Sequence, residues 1–153
     1  MTPEKIDFPP LLPAGLHSHS LESFWALAVD PFPNSARRSM LYTNLQVYLS
    51  KLADTGIKAR VWLDGSYLTQ KPEPDDIDLV VVFDDDSANA LTPEAQRLLL
   101  VLLDMNIMDS RFKLHVFAVQ STNETGQDYW LHLFGTLRDE VTPKGIAELR
   151  VNL

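Results

Sequence analysis

The sequence predicts an α+β domain in which a small mixed sheet of three or more strands is packed by helices. Three observations favour this class: an amphipathic segment ends near position 56, a nearly continuous apolar run follows Asp78, and a further helix-strand pair lies between positions 92 and 119. The chain has 153 residues and no internal repeat, which suits one domain with a single core.

Residues 1–34 are expected to form an extended arm that packs on a domain formed by residues 35–153. The arm is rich in proline, which fixes φ and lacks an N–H donor, although a short helix is predicted over residues 21–29. His17 and His19 are interpreted as loop histidines, with a metal-binding pair as the alternative.

A helix capped by Asn34 or Ser35 is predicted to run to about position 55, where a glycine follows. Its apolar residues recur at intervals of three and four. Arg37 and Arg38 lie in its first turn, where the helix dipole disfavours cations. They indicate either an acidic or phosphate partner nearby or a solvated surface.

Two strands are predicted on either side of a Gly65-Ser66 turn, over residues 58–64 and 77–83. The second is apolar on both faces after Asp78, as a central strand is.

The second half of the chain predicts two more helices and two more strands. Thr92 begins a helix that ends at about 103–106, with proline at its first position. A strand over residues 112–119 and a helix over residues 125–139 follow. From Lys144 onward the chain is expected to form a short strand or an extended strap.

Two aspartates at the start of the central strand share one of its faces. Asp76 and Asp78 are two residues apart, so their Cα atoms lie roughly 6.6 Å apart in a strand. Neighbouring carboxylates are costly unless a cation lies between them. Mg2+ takes oxygen ligands and leaves positions open for substrate phosphates, and the pattern therefore predicts a Mg2+ or Mn2+ site.

Two other interpretations of this acidic stretch stay open. A calcium loop is one, although Val80 stands where its third ligand belongs. The other is a solvated strand end that binds nothing.

The turn before these carboxylates suits a phosphate ligand. Nucleotidyl transfer needs the triphosphate positioned and its growing charge neutralised. Gly65 lets the backbone approach phosphate closely, and Ser66 can donate its hydroxyl and its N–H.

Composition excludes several classes of function. The net charge of −8 disfavours non-specific binding to DNA. The absence of cysteine excludes disulfides, thiol catalysis and Cys-ligated zinc. No signal peptide is evident, and the longest apolar run is far shorter than the roughly 20 residues of a membrane helix. A cytoplasmic protein without a membrane partner is expected.

Gly65-Ser66, nine residues and then Asp76-Ile77-Asp78 resembles the Gly-Ser and Asp-x-Asp pattern of the DNA polymerase β-like nucleotidyltransferase superfamily. The order of predicted helices and strands is similar to that fold. Longer stretches resemble a group of small, largely uncharacterised bacterial proteins related to minimal nucleotidyltransferase antitoxins: Leu12–His17, Leu63–Thr69, Lys71–Asp78 and Lys144–Ile146.

The resemblance implies transfer of NMP from an NTP to an acceptor, which would be an RNA end, a protein or a small molecule, in a toxin–antitoxin or phage-defence setting. It implies that Asp76 and Asp78 are catalytic metal ligands and that Gly65 and Ser66 contact the triphosphate. The superfamily has a third carboxylate on the next strand. His115 stands at that position here and is the third catalytic candidate.

Three more residues are candidates for the nucleotide site. Tyr67 is expected either to stack on a base or to pack within its loop, and Lys71 is either a phosphate contact or a loop charge. Lys113 is expected either on the strand face of the carboxylates, where it would line the nucleotide pocket, or as a surface charge. His115 supplies no negative charge and suits Mg2+ poorly. The alternative function is therefore a catalytically impaired protein that binds a nucleotide or a partner such as a cognate toxin.

Overall fold

A computed structural model describes residues 8–153, and the first seven residues of the predicted arm lie outside the described residues. This part of the chain folds into a five-stranded mixed sheet of order β1-β5-β2-β3-β4. The strands are β1 (Gly15–Ser18), β2 (Ala59–Asp64), β3 (Ile77–Phe83), β4 (Leu114–Gln120) and β5 (Gly145–Val151). β2 is antiparallel to β3 and β5, whereas β1 runs parallel to β5 and β4 parallel to β3. The predicted α+β class is confirmed.

The helices pack on both faces of this sheet. They are α1 (Leu21–Ala28), α2 (Ala36–Asp54), α3 (Asp85–Asn89), α4 (Pro93–Leu102), α5 (Met105–Phe112) and α6 (Glu124–Phe134). The side chains of Ser35 and Thr92 accept hydrogen bonds from backbone N–H groups in the first turns of α2 and α4, so both helices begin where capping predicts. Within residues 8–153, no helix is long and apolar enough to cross a membrane.

The observed elements differ from the predicted ones at three places. The predicted helix from Thr92 ends at Leu102, and Asp104 caps a separate helix, α5, by accepting from the N–H of Ile107. The helix predicted over residues 125–139 ends at Phe134. The proline-rich arm contributes an edge strand, β1, which the sequence did not predict.

The two N-terminal histidines make separate hydrogen bonds. A ring nitrogen of His17, in β1, lies 2.8 Å from the Pro13 carbonyl oxygen. A ring nitrogen of His19, just before α1, lies 2.9 Å from the Ser23 hydroxyl. The prediction of a loop histidine is thus confirmed for His19, whereas it is wrong for His17, which lies in a strand.

The two faces of the sheet are packed differently. The first face is covered by α1, α2, α4 and α5, and the main core lies between them. The second face packs against α6 through a smaller cluster that includes Trp62, Val80 and Phe134. This second face carries the polar end of the sheet.

Strand register places three polar residues in one row on the second face. Asp64 of β2 pairs with Asp78 of β3, and Asp78 pairs with His115 of β4. Directly paired residues project from the same side of a sheet. The row therefore crosses three adjacent strands, and the functional site is built on it.

Candidate functional site

Asp76, Asp78 and His115 come together as the sequence predicts. One ligand atom from each lies within 4.8 Å of the other two. The Nδ1 of His115 is 3.2 Å from Oδ1 of Asp78, and its Nε2 is 3.5 Å from Oδ2 of Asp76. The three side chains are about one-third exposed, so a ligand can reach them. Two carboxylates and an imidazole at these distances fit a divalent cation, with the carboxylates as the ligands suited to Mg2+ or Mn2+.

His115 also contacts a carboxylate that the sequence did not point to. Its Nε2 lies 3.1 Å from Oδ1 of Asp109, on α5. Both ring nitrogens therefore face carboxylate oxygens, yet a neutral imidazole donates from only one nitrogen. Ligation of a metal by His115 requires the ring to give up at least one of these contacts.

Asp64 and Lys144 form a buried pair behind the cluster, and both were missed as site residues. Asp64 is 1% exposed, and its Oδ1 lies 3.1 Å from Nζ of Lys144. The contact is an ion pair, and among the described residues Oδ1 accepts no hydrogen bond that meets the usual geometric limits. Register pairing with Asp78 is the signal, and it exists only once the sheet is formed.

The pKa values of two carboxyl groups are raised in this site. Burial raises the pKa of Asp64 to about 8, although Lys144 and the backbone N–H of Gly65 act to lower it. Burial and, to a smaller extent, the negative charge of Asp76 raise the pKa of Asp78 to about 6. His115 and Lys144 act to lower this pKa. Both shifts have the direction expected where carboxyl groups are buried together without enough positive charge. A bound cation would favour the ionised forms.

Gly65 is required at the turn by Asp78 itself. Its φ is +80° with ψ at −165°, a conformation open almost only to glycine. A Cβ added there would lie 2.5 Å from Oδ2 of Asp78. The sequence predicted that phosphate would approach the backbone of Gly65 closely. In the structure the Asp78 carboxylate makes this close approach. Ser66 follows at the start of a 3₁₀ turn, Ser66–Leu68.

These residues line an open cleft of about 1050 Å3 between the end of the sheet and α6. Its acidic part is formed by the row of carboxylates and His115, next to the Gly65-Ser66 turn. Basic side chains line it as well, namely Lys71, Arg138 and Lys144. Aromatic side chains form the wall toward α6, namely Phe117, Tyr129 and Trp130.

For Tyr67 the interpretation of packing is confirmed and that of base stacking is wrong, and the predicted position of Lys113 is also wrong. Tyr67 is fully buried, and its hydroxyl donates to the Arg38 carbonyl oxygen at 2.8 Å, so its ring packs within the core instead of stacking on a base. Lys113 is exposed in a left-handed conformation at the end of α5, one residue before β4 begins. It therefore does not lie on the strand face of the carboxylates.

The two arginines of α2 differ from each other. Arg37 donates to Asp75 at 2.6 Å, which is the acidic partner that its position indicated. Arg38 is fully buried, so a solvated surface is wrong for it. Its guanidinium donates to four backbone carbonyls, those of Ala28, Tyr67, Thr69 and Lys71. It holds the loop that carries Lys71 into the cleft.

The fold and site define an α+β domain with an acidic cleft that is also lined by basic and aromatic side chains. The chain belongs to a family of unknown function, DUF6932, whose family model matches residues 5–150. No curated protein and no solved structure matches the chain.

Proposed function

We propose that the protein is a metal-dependent nucleotidyltransferase of the polymerase β-like type. It would transfer NMP from an NTP to an acceptor, such as an RNA end, a protein or a small molecule, and release pyrophosphate. One observation carries the proposal: Asp76, Asp78 and His115 present ligand atoms within 4.8 Å of one another in a cleft that also contains the Gly65-Ser66 turn. The motif spacing and its resemblance to that superfamily support it.

Asp76 and Asp78 are the residues that would hold Mg2+ or Mn2+. A divalent cation in such a site neutralises phosphate charge and makes a bound hydroxyl a better nucleophile. The buried Asp64 pairs with Asp78 in the sheet, and a bound cation would favour the ionised form of its carboxyl group.

The chain's own groups would bind and orient the substrate. Ser66 can donate its hydroxyl to a phosphate oxygen, and the ammonium groups of Lys71 and Lys144 line the same cleft. His115, once free of a carboxylate contact, can accept the proton of the acceptor hydroxyl. The acceptor oxygen then bonds to the α-phosphorus as the bond to pyrophosphate breaks.

A second function is favoured by the contacts of His115. Because both of its ring nitrogens face carboxylate oxygens, His115 can stay bound to these carboxylates in place of a metal ion. A protein of this kind would bind a nucleotide or a partner, such as a cognate toxin, without transferring NMP. This is the impaired alternative.

Label transfer from α-labelled NTPs tests the first function. The protein is incubated with each NTP, Mg2+ or Mn2+, and total RNA or protein extract as acceptors. We expect transfer by the wild type, loss in Asp76→Asn/Asp78→Asn, and retention in Asp54→Asn, which removes an exposed carboxylate at the end of α2. Metal-dependent NTP binding without transfer would favour the second function. No NTP binding under any condition would contradict the first function and the nucleotide-binding form of the second.

Substitution of His115 separates the two functions. In an active enzyme, His115→Ala should lower transfer by about 100-fold or more, the usual contribution of a general base. In the impaired protein, His115→Asp should create transfer that the wild type lacks, because it supplies the third carboxylate.

A further inference from the structure

The aromatic wall of the cleft, formed by Phe117, Tyr129 and Trp130, has no role in the chemistry above. Phe117 lies two residues after His115 on β4 and so projects from the same face of the sheet. The ring of Trp130 packs against Phe117 with centroids 4.5 Å apart, and Tyr129 meets Trp130 edge-on at 5.1 Å. The wall is therefore continuous with the acidic cluster.

Core packing accounts for part of this wall only. Trp130 and Phe117 border the smaller core cluster. Tyr129, in contrast, is 59% exposed and still lines the cleft. Its ring is braced by Trp130 from one side, so it presents a rigid aromatic surface to a ligand at little cost in conformational entropy.

The wall stands at a suitable distance from the phosphate-binding end. Ser66 follows the end of β2, whereas Phe117 lies on β4, two strands away. At about 4.8 Å between neighbouring strands, β2 and β4 are about 10 Å apart across the sheet. Phe117 is in register with Trp62, which lies four residues before Ser66, so the two sites are also offset along the strands. Asp76 and Asp78 lie at the strand between them. A ligand with its phosphates at Ser66 and Lys144 thus extends past the carboxylates toward the aromatic rings.

We propose that Tyr129, braced by Trp130 and Phe117, stacks the base of the nucleoside triphosphate whose phosphates lie at Ser66 and Lys144. This inference rests on the proposed function because it assigns the base subsite of the same cleft. Every nucleobase has a π-face, so stacking alone tolerates all four bases. The site should therefore bind purine and pyrimidine triphosphates with similar affinity, with some advantage for the larger purine rings.

A comparison of the affinities for NTPs and for inorganic tripolyphosphate isolates the contribution of the base to binding. Tripolyphosphate carries the phosphate chain without sugar or base, and its binding is measured by calorimetry with Mg2+ beside each of the four NTPs. We expect the wild type to bind NTPs more tightly than tripolyphosphate. Tyr129→Ala should weaken NTP binding by roughly 5-fold or more and leave tripolyphosphate binding unchanged.

Three further variants complete the test. Tyr129→Phe keeps the ring and should keep wild-type affinity. Trp130→Leu should weaken NTP binding through loss of the brace, with circular dichroism to verify folding. Trp25→Ala removes a partly exposed aromatic ring from α1, on the other face of the sheet. It should change neither the affinity for NTPs nor that for tripolyphosphate.

The possible failures are distinguishable. If NTPs and tripolyphosphate bind with equal affinity, and Tyr129→Ala changes neither affinity, the proposed base subsite is contradicted. Binding of the phosphates would still be supported. If Tyr129→Phe weakens NTP binding as much as Tyr129→Ala does, the hydroxyl group contributes the affinity instead of the ring. Stacking is then contradicted as well. If neither ligand binds the wild type, the proposed function fails together with this inference.

Discussion

Asp64 is the carboxyl group of the site whose pKa is raised furthest above its ordinary value. It is buried beside Asp78, and the ammonium group of Lys144 lies 3.1 Å from one of its oxygens. Its pKa, raised to about 8 by burial, means that the carboxyl group is protonated through much of the neutral range. The folded protein thus takes up a proton at a position where the unfolded chain is ionised.

This proton uptake predicts how stability changes with pH. The pKa of Asp64 rises from about 3.9 in the unfolded chain to about 8, so between these values the native state binds the additional proton. Metal-free protein should therefore lose stability as the pH rises from about 4 to about 8, and Asp78 adds to the loss up to about pH 6. Asp64→Asn should lessen the loss, as measured by thermal unfolding in a chelator.

Asp54→Asn is the control for this pH dependence, because Asp54 is exposed and far from the row. It should keep the wild-type slope of stability against pH. An unchanged slope in Asp64→Asn would show that Asp64 ionises at its ordinary pKa.

Gly65 offers a second test with a matched control. Gly65→Ala should lower the free energy of unfolding by about 1–3 kcal/mol because of its positive φ, and should also displace Asp78. Gly15 also has a positive φ, but a Cβ there would meet no atom within 4 Å. Gly15→Ala should therefore cost stability alone, whereas Gly65→Ala should also weaken Mn2+ binding. Equal Mn2+ binding in the two variants would contradict this role of Gly65.

Local spacing explains which site residues were predictable. The face shared by Asp76 and Asp78 follows from strand alternation, and the position of His115 follows from the resemblance and the strand order. The burial of Tyr67 depends on Arg38, which lies 29 residues earlier in the chain. No local pattern shows such a contact.

Among the elements, the loop after the Gly-Ser turn depends most on one distant side chain. Four carbonyl groups accept from the Arg38 guanidinium, one at the last residue of α1 and three on the loop itself. The ring of Phe32 lies 3.9 Å from its central carbon. Burial lowers the pKa of Arg38 to about 10, which still leaves it charged at neutral pH. Arg38 thus connects α2 to one side of the cleft.

Arg37 and Arg38 form a matched pair for a stability measurement. Arg38→Met should lower the free energy of unfolding by about 3 kcal/mol or more, because it leaves several buried carbonyls without a donor. Arg37→Met removes an exposed ion pair and should cost less than about 1 kcal/mol. Urea unfolding measures both changes. Similar losses in the two variants would contradict the role given to Arg38.

At this scale the sequence predicts elements with strong local signals. The observed β3 has the predicted bounds, residues 77–83, and α2 begins after a predicted cap, Ser35. β1 has no such signal, because its four residues become a strand only by pairing with β5. α5 was hidden because the apolar run before it suggested one longer helix.

At the scale of the whole molecule, the cleft joins parts of the chain that are far apart in sequence. β2 and β3 bring Asp64, the Gly-Ser turn and Asp78, while β4 brings His115. β4 and α6 together form the aromatic wall, and the residue before β5, Lys144, lies beside Asp64. The α+β class with a mixed sheet could be predicted from the sequence. Its order, and therefore the Asp64–Lys144 pair, was not, because the position of β5 beside β2 depends on long-range packing.

Binding of Mn2+ tests the central claim most directly. Electron paramagnetic resonance counts bound Mn2+ in the wild type, in Asp78→Asn and in Asp54→Asn. We expect saturable binding by the wild type that persists in Asp54→Asn and is lost in Asp78→Asn. Equal binding by all three proteins, or no saturable binding by the wild type, would contradict the claim that Asp76 and Asp78 form a metal site.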